Sequence, residues 1–261
     1  MSSTSNSMTN AKPTFSQDDE VDSVRSVTHD DEHVYLGNKK YKKSELQQAF
    51  GGTLVSERYA EYPKHQFANA AALGLSSFAL TTFVLGLYYA GAKGISTPNV
   101  VVSLTFFYGG VVQFLAGVWE IAIGNCFAGT ALASYGPFWF GFGCIYVPAF
   151  GIADAYADYP EQLSNAVGFY LVGWAIFTFM LLTLTLKTTL AFFGLFFTLD
   201  LTFIILAAAN FTGNAKCVQA GGIMAIISAS CGWYCAFAGV ANKQNSYFTA
   251  NPIVLPVFGE K

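Results

Sequence analysis

Long apolar runs alternate with short polar or glycine-containing breaks along most of this chain. The hydrocarbon core of a bilayer is about 30 Å thick, and a helix needs roughly 20 apolar residues to cross it. Six runs have about that length, so the pattern predicts an all-α membrane protein with six transmembrane helices within residues 67–242. The expected spans are 69–90, 100–123, 130–152, 165–186, 189–209 and 218–241.

Polar residues gather at the two ends of the chain. Residues 1–33 have the composition of a disordered tail, and residues 34–66 are expected to form a more ordered pre-membrane segment. In that segment Ser44-Glu45-Leu46-Gln47 resembles a capping box, which predicts a short helix that Gly51 ends. Residues 243–261 are expected to form a C-terminal tail.

Basic residues near the ends of the spans predict the orientation. An even number of spans places both termini on one side of the membrane, and cytoplasmic loops carry an excess of Lys and Arg. With a cytoplasmic N-terminus, more of these residues fall in the cytoplasm than outside, so we expect both termini to be cytoplasmic. The residues inside are then Arg58, Lys64, Lys187 and Lys243, and those outside are Lys93 and Lys216.

Composition and missing motifs exclude several classes of protein. Hydrophobic residues make up 53% of the chain and charged residues 11%, against about 25% charged in a soluble domain. The sequence has no basic patch for nucleic acid, no His after His65, no phosphate-binding loop, no nucleophile elbow and no metal-ligand spacing. It therefore predicts neither an enzyme nor a metal or cofactor site, and a transporter or channel is the leading class.

Two ionisable residues, Glu120 and Asp200, lie inside the expected spans. A charged group there costs about 3 kcal/mol on insertion, which makes each a candidate for function. Gln113 precedes Glu120 by two helical turns and shares its helical face with Gly109 and Ala116, so this face suits a polar path. The alternative for Glu120 is a residue near the span end that either snorkels to the interface or bonds to a neighbouring helix. For Asp200 the alternatives are a pore position, a contact between helices, or a helix end.

A motif at the start of the first span resembles a known signature. Asn69-Ala70-Ala71-Ala72-Leu73-Gly74-Leu75 is similar to the Asn-Pro-Ala-Pro-Leu-Gly-Leu sequence of the acetate uptake transporter family. These fungal and bacterial acetate/succinate permeases are also described as ammonia or ammonium outward proteins. The resemblance covers about residues 34–250, and residues 41–54 are similar to the fungal branch. Both signature prolines are alanine here, Ala70 and Ala72, so this chain lacks the backbone restriction that those prolines impose. Supporting stretches are Phe107-Tyr108-Gly109-Gly110, Ala116-Gly117-Val118-Trp119-Glu120 and Gly136-Pro137-Phe138-Trp139.

The resemblance implies a homohexamer in which each protomer has its own pore for acetate and similar small monocarboxylates. It places a narrow apolar constriction at Phe78, Tyr135 and Leu199, residue types that would otherwise indicate ordinary helix packing. It implies acetate, protons and membrane lipids as partners, no cofactor, and a fungal plasma membrane as the location. The residues expected to contact substrate are Asn69, Leu73, Gly74, Leu75, Gln113 and Tyr135.

Proton-coupled or neutral-acid uptake is the hypothesis for the mechanism. Carrying one negative charge against about 100 mV costs roughly 2.3 kcal/mol, and a proton that moves with acetate removes this cost. Glu120 and Asp200 are the candidate proton-coupling residues. The alternatives are an anion channel, a membrane receptor in acid or ammonium signalling, and an ammonia or neutral-solute channel. The last is prompted by Asn69-Ala70-Ala71 and Asn165-Ala166, which are weakly similar to aquaporin motifs.

Overall fold

The computed structural model describes residues 26–49 and 67–257. The chain divides into two compact units, one within residues 1–66 and one within residues 67–261.

The first unit contains a small antiparallel sheet followed by a helix. Its strands are β1 (Val27–His29), β2 (His33–Leu36) and β3 (Lys39–Lys42), paired in the order β1-β2-β3, and the helix is α1 (Lys43–Ala49). Ordered structure thus begins before residue 34, the boundary that we expected. Helix α1 begins one residue before Ser44. Residues 1–25 and the predicted helix end at Gly51 lie outside the described residues.

A turn between β1 and β2 is organised by Asp30. Its carboxylate accepts the backbone N–H groups of Glu32 and His33 and the hydroxyl of Tyr35. Hydrogen bonds to the charged form favour it, and the bond from the His33 N–H is the largest contribution that lowers the pKa of Asp30 to about 2. The charged side chain therefore supports this hairpin at neutral pH.

The second unit is a bundle of long helices. Helix α3 runs into α4 through a π-helical turn, residues Phe107–Val112, so the two form one continuous segment. The helices are α2 (Ala70–Tyr89), α3 (Val100–Phe106), α4 (Gln113–Ala122), α5 (Cys126–Tyr146), α6 (Pro160–Thr183), α7 (Leu190–Thr212) and α8 (Ala215–Val240).

Five helical segments in the described part of the chain are long and apolar enough to cross a membrane: α2, α3–α4, α6, α7 and α8. Helix α5, which overlaps the third expected span, has 21 residues but is not among them. Its middle, Ser134-Tyr135-Gly136-Pro137, contains no aliphatic Leu, Ile or Val side chain. The bundle is thus a helical membrane domain with five candidate spans and one further long helix.

Three helices begin several residues before their expected starts, and one of them is α8, which begins at Ala215 rather than at 218. Helix α5 begins at Cys126 because the Asn125 side chain accepts the N–H of Ala128 at 3.3 Å and caps the helix. Helix α6 begins at Pro160, since proline at the first helical position loses no intrahelical hydrogen bond. Asn165 therefore lies inside α6 and does not open it. The end of α5 at Tyr146 also precedes the predicted one, because Pro148 disfavours helix at the residue before it.

The helices are arranged as a ring. In spatial order α5, α4, α2, α8, α7 and α6 pack against one another. Long side chains close the ring between α5 and α6: the Tyr170 hydroxyl donates to the Phe138 carbonyl at 2.8 Å, and the Tyr135 and Thr178 hydroxyls are bonded at 2.8 Å. This arrangement leaves a central space that several helices line.

Small residues on α8 let it pack closely against its neighbours in the ring. A Cβ on Gly222 would lie 2.5 Å from the backbone N of Ala90, and one on Gly232 would lie 3.3 Å from the Phe78 ring. Close backbone approach at small residues is a common way to join helices in membranes. The small-residue face of α8 therefore contacts α2 and α7 within one protomer. Its members include Gly221, Ala225, Ala229, Gly232 and Ala236.

The C-terminal segment pairs with the turn before α7. The Leu190 N–H donates to the Ile253 carbonyl at 2.8 Å, and the Leu255 N–H donates to the Thr188 carbonyl at 2.9 Å. Part of the expected tail, residues 243–261, is thus attached to the helical bundle.

Candidate functional site

Two cavities lie inside the ring, one toward each end of the helices. The larger, named here the Gln113 cavity, has a volume of about 450 Å³ and lies where α2, α5 and α7 begin. The smaller, named the Asn210 cavity, has a volume of about 280 Å³ and lies toward the ends of the same three helices.

Three side chains in the described part of the chain line both cavities: Phe78 from α2, Tyr135 from α5 and Leu199 from α7. Each is 4% exposed. They form an apolar layer between the two cavities, in which the Tyr135 hydroxyl is held by Thr178 at 2.8 Å. The structure therefore brings together the three residues that the resemblance placed at a constriction.

Gln113 contributes an uncharged polar group to the cavity named after it. The residue is fully buried, and neither Oε1 nor Nε2 has a hydrogen-bond partner among the described residues. An unsatisfied buried polar group costs about 1–3 kcal/mol, so this amide is available to a ligand. It directly follows the π-helical turn at Phe107–Val112, a feature often found at functional sites.

The signature at the start of α2 reaches this cavity only in part. Asn69 and Leu75 line it, and so does Ala71. Leu73 is 50% exposed on the outside of the bundle. Gly74 packs against Leu132, whose Cδ1 would lie 2.5 Å from an added Cβ. Of the expected contacts in the signature, Asn69 and Leu75 are therefore positioned to meet a ligand, whereas Leu73 and Gly74 are not.

Glu120 lies beside the N-terminus of α2 and lines neither of the two cavities. Its Oε1 accepts the backbone N–H of Ala71 at 2.7 Å, and its Oε2 accepts the side-chain amide of Asn125 at 2.6 Å. Asn69, the residue before α2, makes no side-chain cap, so Glu120 supplies the cap from another helix, where a carboxylate is favourable. In the structure Glu120 is therefore bonded to a neighbouring helix, which is one of the alternatives considered for it. Ala71 and Asn125 both line the Gln113 cavity, so Glu120 holds two parts of its wall.

Asp200 faces away from both cavities. It lies in a groove of about 480 Å³ between α6 and α7, among aliphatic and aromatic residues. It is 5% exposed, and its Oδ1 has no partner among the described residues. Of the two expected proton-coupling residues, Asp200 is therefore outside the lining of the central path. The groove is formed with Val172, Ala175, Ile176, Phe179, Ile204, Ala207, Ala208 and Phe211.

Two polar residues of the Asn210 cavity are not among those that the sequence singles out. Thr82 and Trp139 line it, are 4% and 3% exposed, and leave Oγ1 and Nε1 without partners in the described part of the chain. Each follows a constriction residue, Phe78 or Tyr135, by four positions, so it lies one turn further along the same helical face. That spacing is the signal that points to them.

A ring of helices around two cavities that an apolar layer separates is typical of a membrane transporter or channel. Residues 50–257 match the GPR1/FUN34/yaaH family, and the chain belongs to that family. The resemblance in the signature is thereby confirmed.

Relatives are found in fungi and bacteria. The chain is 52% identical over 233 residues to "Ammonia transport outward protein 2" of Saccharomyces cerevisiae, covering 89% of this chain and 82% of the relative. It is 44% identical over 209 residues to "Acetate permease A" of Emericella nidulans, covering 76% and 70%. It is 34% identical over 180 residues to "Succinate-acetate/proton symporter SatP" of Escherichia coli, covering 69% and 92%.

A solved structure has a similar fold. It is described as "Structure of the bacterial acetate channel SatP", and its TM-score with this chain is 0.62 at 33% sequence identity. The match covers 69% of this chain and 96% of that one.

Proposed function

We propose that this protein transports acetate and similar small monocarboxylates across a membrane, and that it is not an enzyme. The path runs from the Gln113 cavity through the layer of Phe78, Tyr135 and Leu199 into the Asn210 cavity. The observation that carries the proposal is that these three residues are shared by both cavities. The names of the relatives, acetate permease and succinate-acetate/proton symporter, support the choice of substrate.

The chemistry of the path suits a small carboxylic acid. Two large apolar side chains and a tyrosine whose hydroxyl is already bonded exclude hydrated ions, whereas a short apolar tail can pass between them. The Gln113 amide and Asn69 offer hydrogen bonds to the carboxyl group on one side. No Lys or Arg is among the residues that line either cavity in the described part of the chain. Binding is therefore weak and suits an abundant substrate.

A proton accompanies acetate in this proposal, because the pair carries no net charge across the membrane potential. Of the two acids expected to take part, Glu120 is connected with the Gln113 cavity through Ala71 and Asn125, whereas Asp200 faces the outer groove. Glu120 is therefore the coupling candidate that we retain.

The proposed assembly has six spans per protomer and six protomers, each with its own pore. Helix α5, with 21 residues, is long enough at 1.5 Å per residue to cross a core of about 30 Å, and it contributes Tyr135 to the central layer. The placement of Lys and Arg favours cytoplasmic termini. A fungal plasma membrane is the proposed location.

Uptake of labelled acetate into proteoliposomes tests the function. We expect uptake to rise when the lumen is made alkaline and to saturate only at high acetate concentration. The uptake rate should change strongly in Phe78→Ala and Tyr135→Ala. Phe83→Ala is the control, because Phe83 also lies on α2 but packs against Trp233, and its uptake should stay close to that of the parent. Uptake that depends on the membrane potential but not on a pH gradient would contradict symport and indicate an anion channel. No acetate uptake at all would refute the function.

Ammonia release is a second candidate, favoured by the name of the Saccharomyces relative. The same proteoliposomes, loaded with ammonium, test it. Ammonia release that is faster than from protein-free liposomes with the same load, and that acetate does not slow, supports an ammonia channel.

A further inference from the structure

Behind the constriction, polar groups from three helices lie next to one another. The Tyr135 hydroxyl on α5 is bonded at 2.8 Å to the hydroxyl of Thr178 on α6, which is fully buried. Thr178 stands between Phe177, whose ring packs against Tyr135, and Phe179, which lines the outer groove. Asp200 on α7 lies in that groove, near enough to Tyr135 for the two groups to interact electrostatically. Thr178 is therefore placed between the constriction and Asp200.

The pair of hydroxyls has one hydrogen more than its bond uses. Each hydroxyl carries one hydrogen, and either Tyr135 or Thr178 can be the donor of the single bond between them. Thr202 donates to a carbonyl of its own helix, that of Thr198, at 2.8 Å, as is usual for threonine in a spanning helix. Thr178 makes no such bond among the described residues. The direction of the Tyr135–Thr178 bond is thus free, and a nearby acceptor can select it.

Asp200 has an acceptor that can select this direction. Its Oδ1 is buried and has no partner among the described residues, whereas Oδ2 is the oxygen on the groove side. With a proton on Oδ2, Oδ1 is still an acceptor, so it attracts a hydrogen whether Asp200 is ionised or neutral. The hydroxyls of Thr198 and Thr202 do not supply that hydrogen, because both donate to carbonyls of α7. The spare hydrogen of the Tyr135–Thr178 pair remains.

We infer that Asp200 is a positioning residue for Tyr135, whose hydrogen-bond direction it sets through Thr178. Oδ1 attracts the spare hydrogen to the Thr178 side, so Tyr135 donates to Thr178 and presents only oxygen lone pairs to the path. The inference rests on the proposed function and adds a cause for the selection of the neutral acid. An oxygen without a free hydrogen accepts the O–H of acetic acid but repels the carboxylate of acetate.

Loss of the acceptor has a specific consequence. Without Oδ1, Thr178 can donate to Tyr135, and the Tyr135 hydrogen can turn toward the path and stabilise an anion there. Asp200 therefore disfavours the anion from a position outside the path, and its removal should change which form of the substrate passes rather than the stability of the bundle.

Uptake of labelled acetate into proteoliposomes without a pH gradient, under an imposed potential that is positive inside, measures passage of the anion. The response of the parent to the potential should be weak, and in Asp200→Leu it should rise at least about fivefold, as for one hydrogen bond. The melting temperature should not fall, because an acid without a partner is removed from an apolar groove. Asp200→Asn keeps an acceptor oxygen and should resemble the parent. Ile204→Ala, in the same groove, is the control and should also resemble it.

Thr178 tests the connection between Asp200 and Tyr135. Thr178→Val should increase the response to the potential as Asp200→Leu does, and the two changes together should give no more than either alone. Increases that multiply would show that Asp200 acts independently of Thr178 and would contradict the inference.

The hydroxyl of Tyr135 can be observed without transport. The chain has 14 Tyr, so labelling with tyrosine carrying ¹³C at Cζ gives a limited set of signals, and Tyr135→Phe identifies one of them. The Cζ shift depends on whether the hydroxyl donates or accepts. We expect the Tyr135 signal to move in Asp200→Leu and Thr178→Val, and to stay in Asp200→Asn and Ile204→Ala.

The possible results separate this inference from the proposed function. If the parent takes up no acetate, the proposed function fails, while the Tyr135 signal still tests the direction of the bond. If the parent takes up acetate and Asp200→Leu matches it in both measurements, the inference is wrong and the proposed function stands. If Asp200→Asn behaves like Asp200→Leu, the charge or proton of Asp200 acts instead of its acceptor oxygen, and the inference is also wrong.

Discussion

The carboxylate of Glu120 accepts the backbone N–H of Ala71 at 2.7 Å and so caps the first long helix from a neighbouring segment. Helix α2 begins at Ala70, a position at which the signature that this sequence resembles has proline. Alanine at residues 70 and 72 keeps two backbone N–H groups in the first turn, and Glu120 accepts the N–H between them, that of Ala71. A charge inside the bundle thus has a structural reason to be there.

Removal of this cap should destabilise the bundle. Glu120→Ala leaves the half-buried Ala71 N–H without its acceptor, at a cost of about 1–3 kcal/mol, and should lower the melting temperature clearly, whereas water can replace the bond to the exposed Asn125. Glu120→Gln keeps one acceptor oxygen, so its melting temperature should lie between those of the parent and Glu120→Ala. Thermal unfolding in detergent measures both. If Glu120→Gln unfolds like the parent but loses the response of uptake to a pH gradient, Glu120 acts in proton coupling as well as in capping.

The bond between Tyr135 and Thr178 should behave as a unit. Tyr135→Phe leaves the buried Thr178 hydroxyl unpaired and should cost about 1–3 kcal/mol, whereas Tyr135→Phe with Thr178→Val replaces both partners and should recover most of it. Chemical unfolding of the parent, both single variants and the double variant gives the coupling energy. Stability changes that simply add would mean that the bond contributes nothing.

Gly232 sets the space behind Phe78. An added Cβ would lie 3.3 Å from the Phe78 ring and 3.3 Å from the Ala79 Cβ, so Gly232→Ala should push the ring toward the path. We expect a several-fold fall in acetate uptake and a larger fall for a bulkier acid such as lactate. Gly173→Ala is the control, because an added Cβ there meets nothing within 4 Å. Equal uptake by both variants would show that Phe78 does not limit passage.

The hairpin at Asp30 should respond to acid. The folded pKa of Asp30 is lowered to about 2 from an ordinary 3.8, so its contribution to stability is present above about pH 4 and is lost as the pH falls toward 2. Amide hydrogen exchange of residues 27–42 in the full chain should therefore accelerate between pH 4 and pH 2, after correction for intrinsic rates. In Asp30→Asn, which has no carboxyl to titrate, this extra acceleration should be absent. Equal pH profiles for both proteins would contradict the prediction.

The long helices could be predicted from the sequence because apolar runs of about 20 residues are typical of segments that cross a bilayer. Their ends were less predictable, since the starts at Cys126 and Pro160 depend on a side-chain cap and on a proline that hydropathy does not weigh. The π-helical turn before Gln113 has no recognisable sequence pattern in this chain.

The site residues also differ in how far the sequence alone identifies them. Phe78, Tyr135 and Leu199 are apolar or aromatic residues in apolar helices, so only the family resemblance could single them out. The sequence identifies Asp200 as unusual but does not locate it, because a spanning helix is apolar on every face and its rotation within the ring is set by tertiary packing. Thr82 and Trp139 have no sequence signal beyond their spacing of four from Phe78 and Tyr135, and the structure shows that their polar atoms lack partners among the described residues.

Modification of a cysteine at the constriction tests the central claim most directly. In a chain whose five native cysteines are replaced, Leu199→Cys is compared with Ile204→Cys, which lies on the same helix but faces the outer groove. A small thiol reagent is applied, and its extent of reaction is measured by mass spectrometry. The account predicts that complete modification at position 199 blocks acetate uptake and that modification at position 204 does not. Uptake that continues through fully modified Leu199→Cys protein would contradict a path between the two cavities.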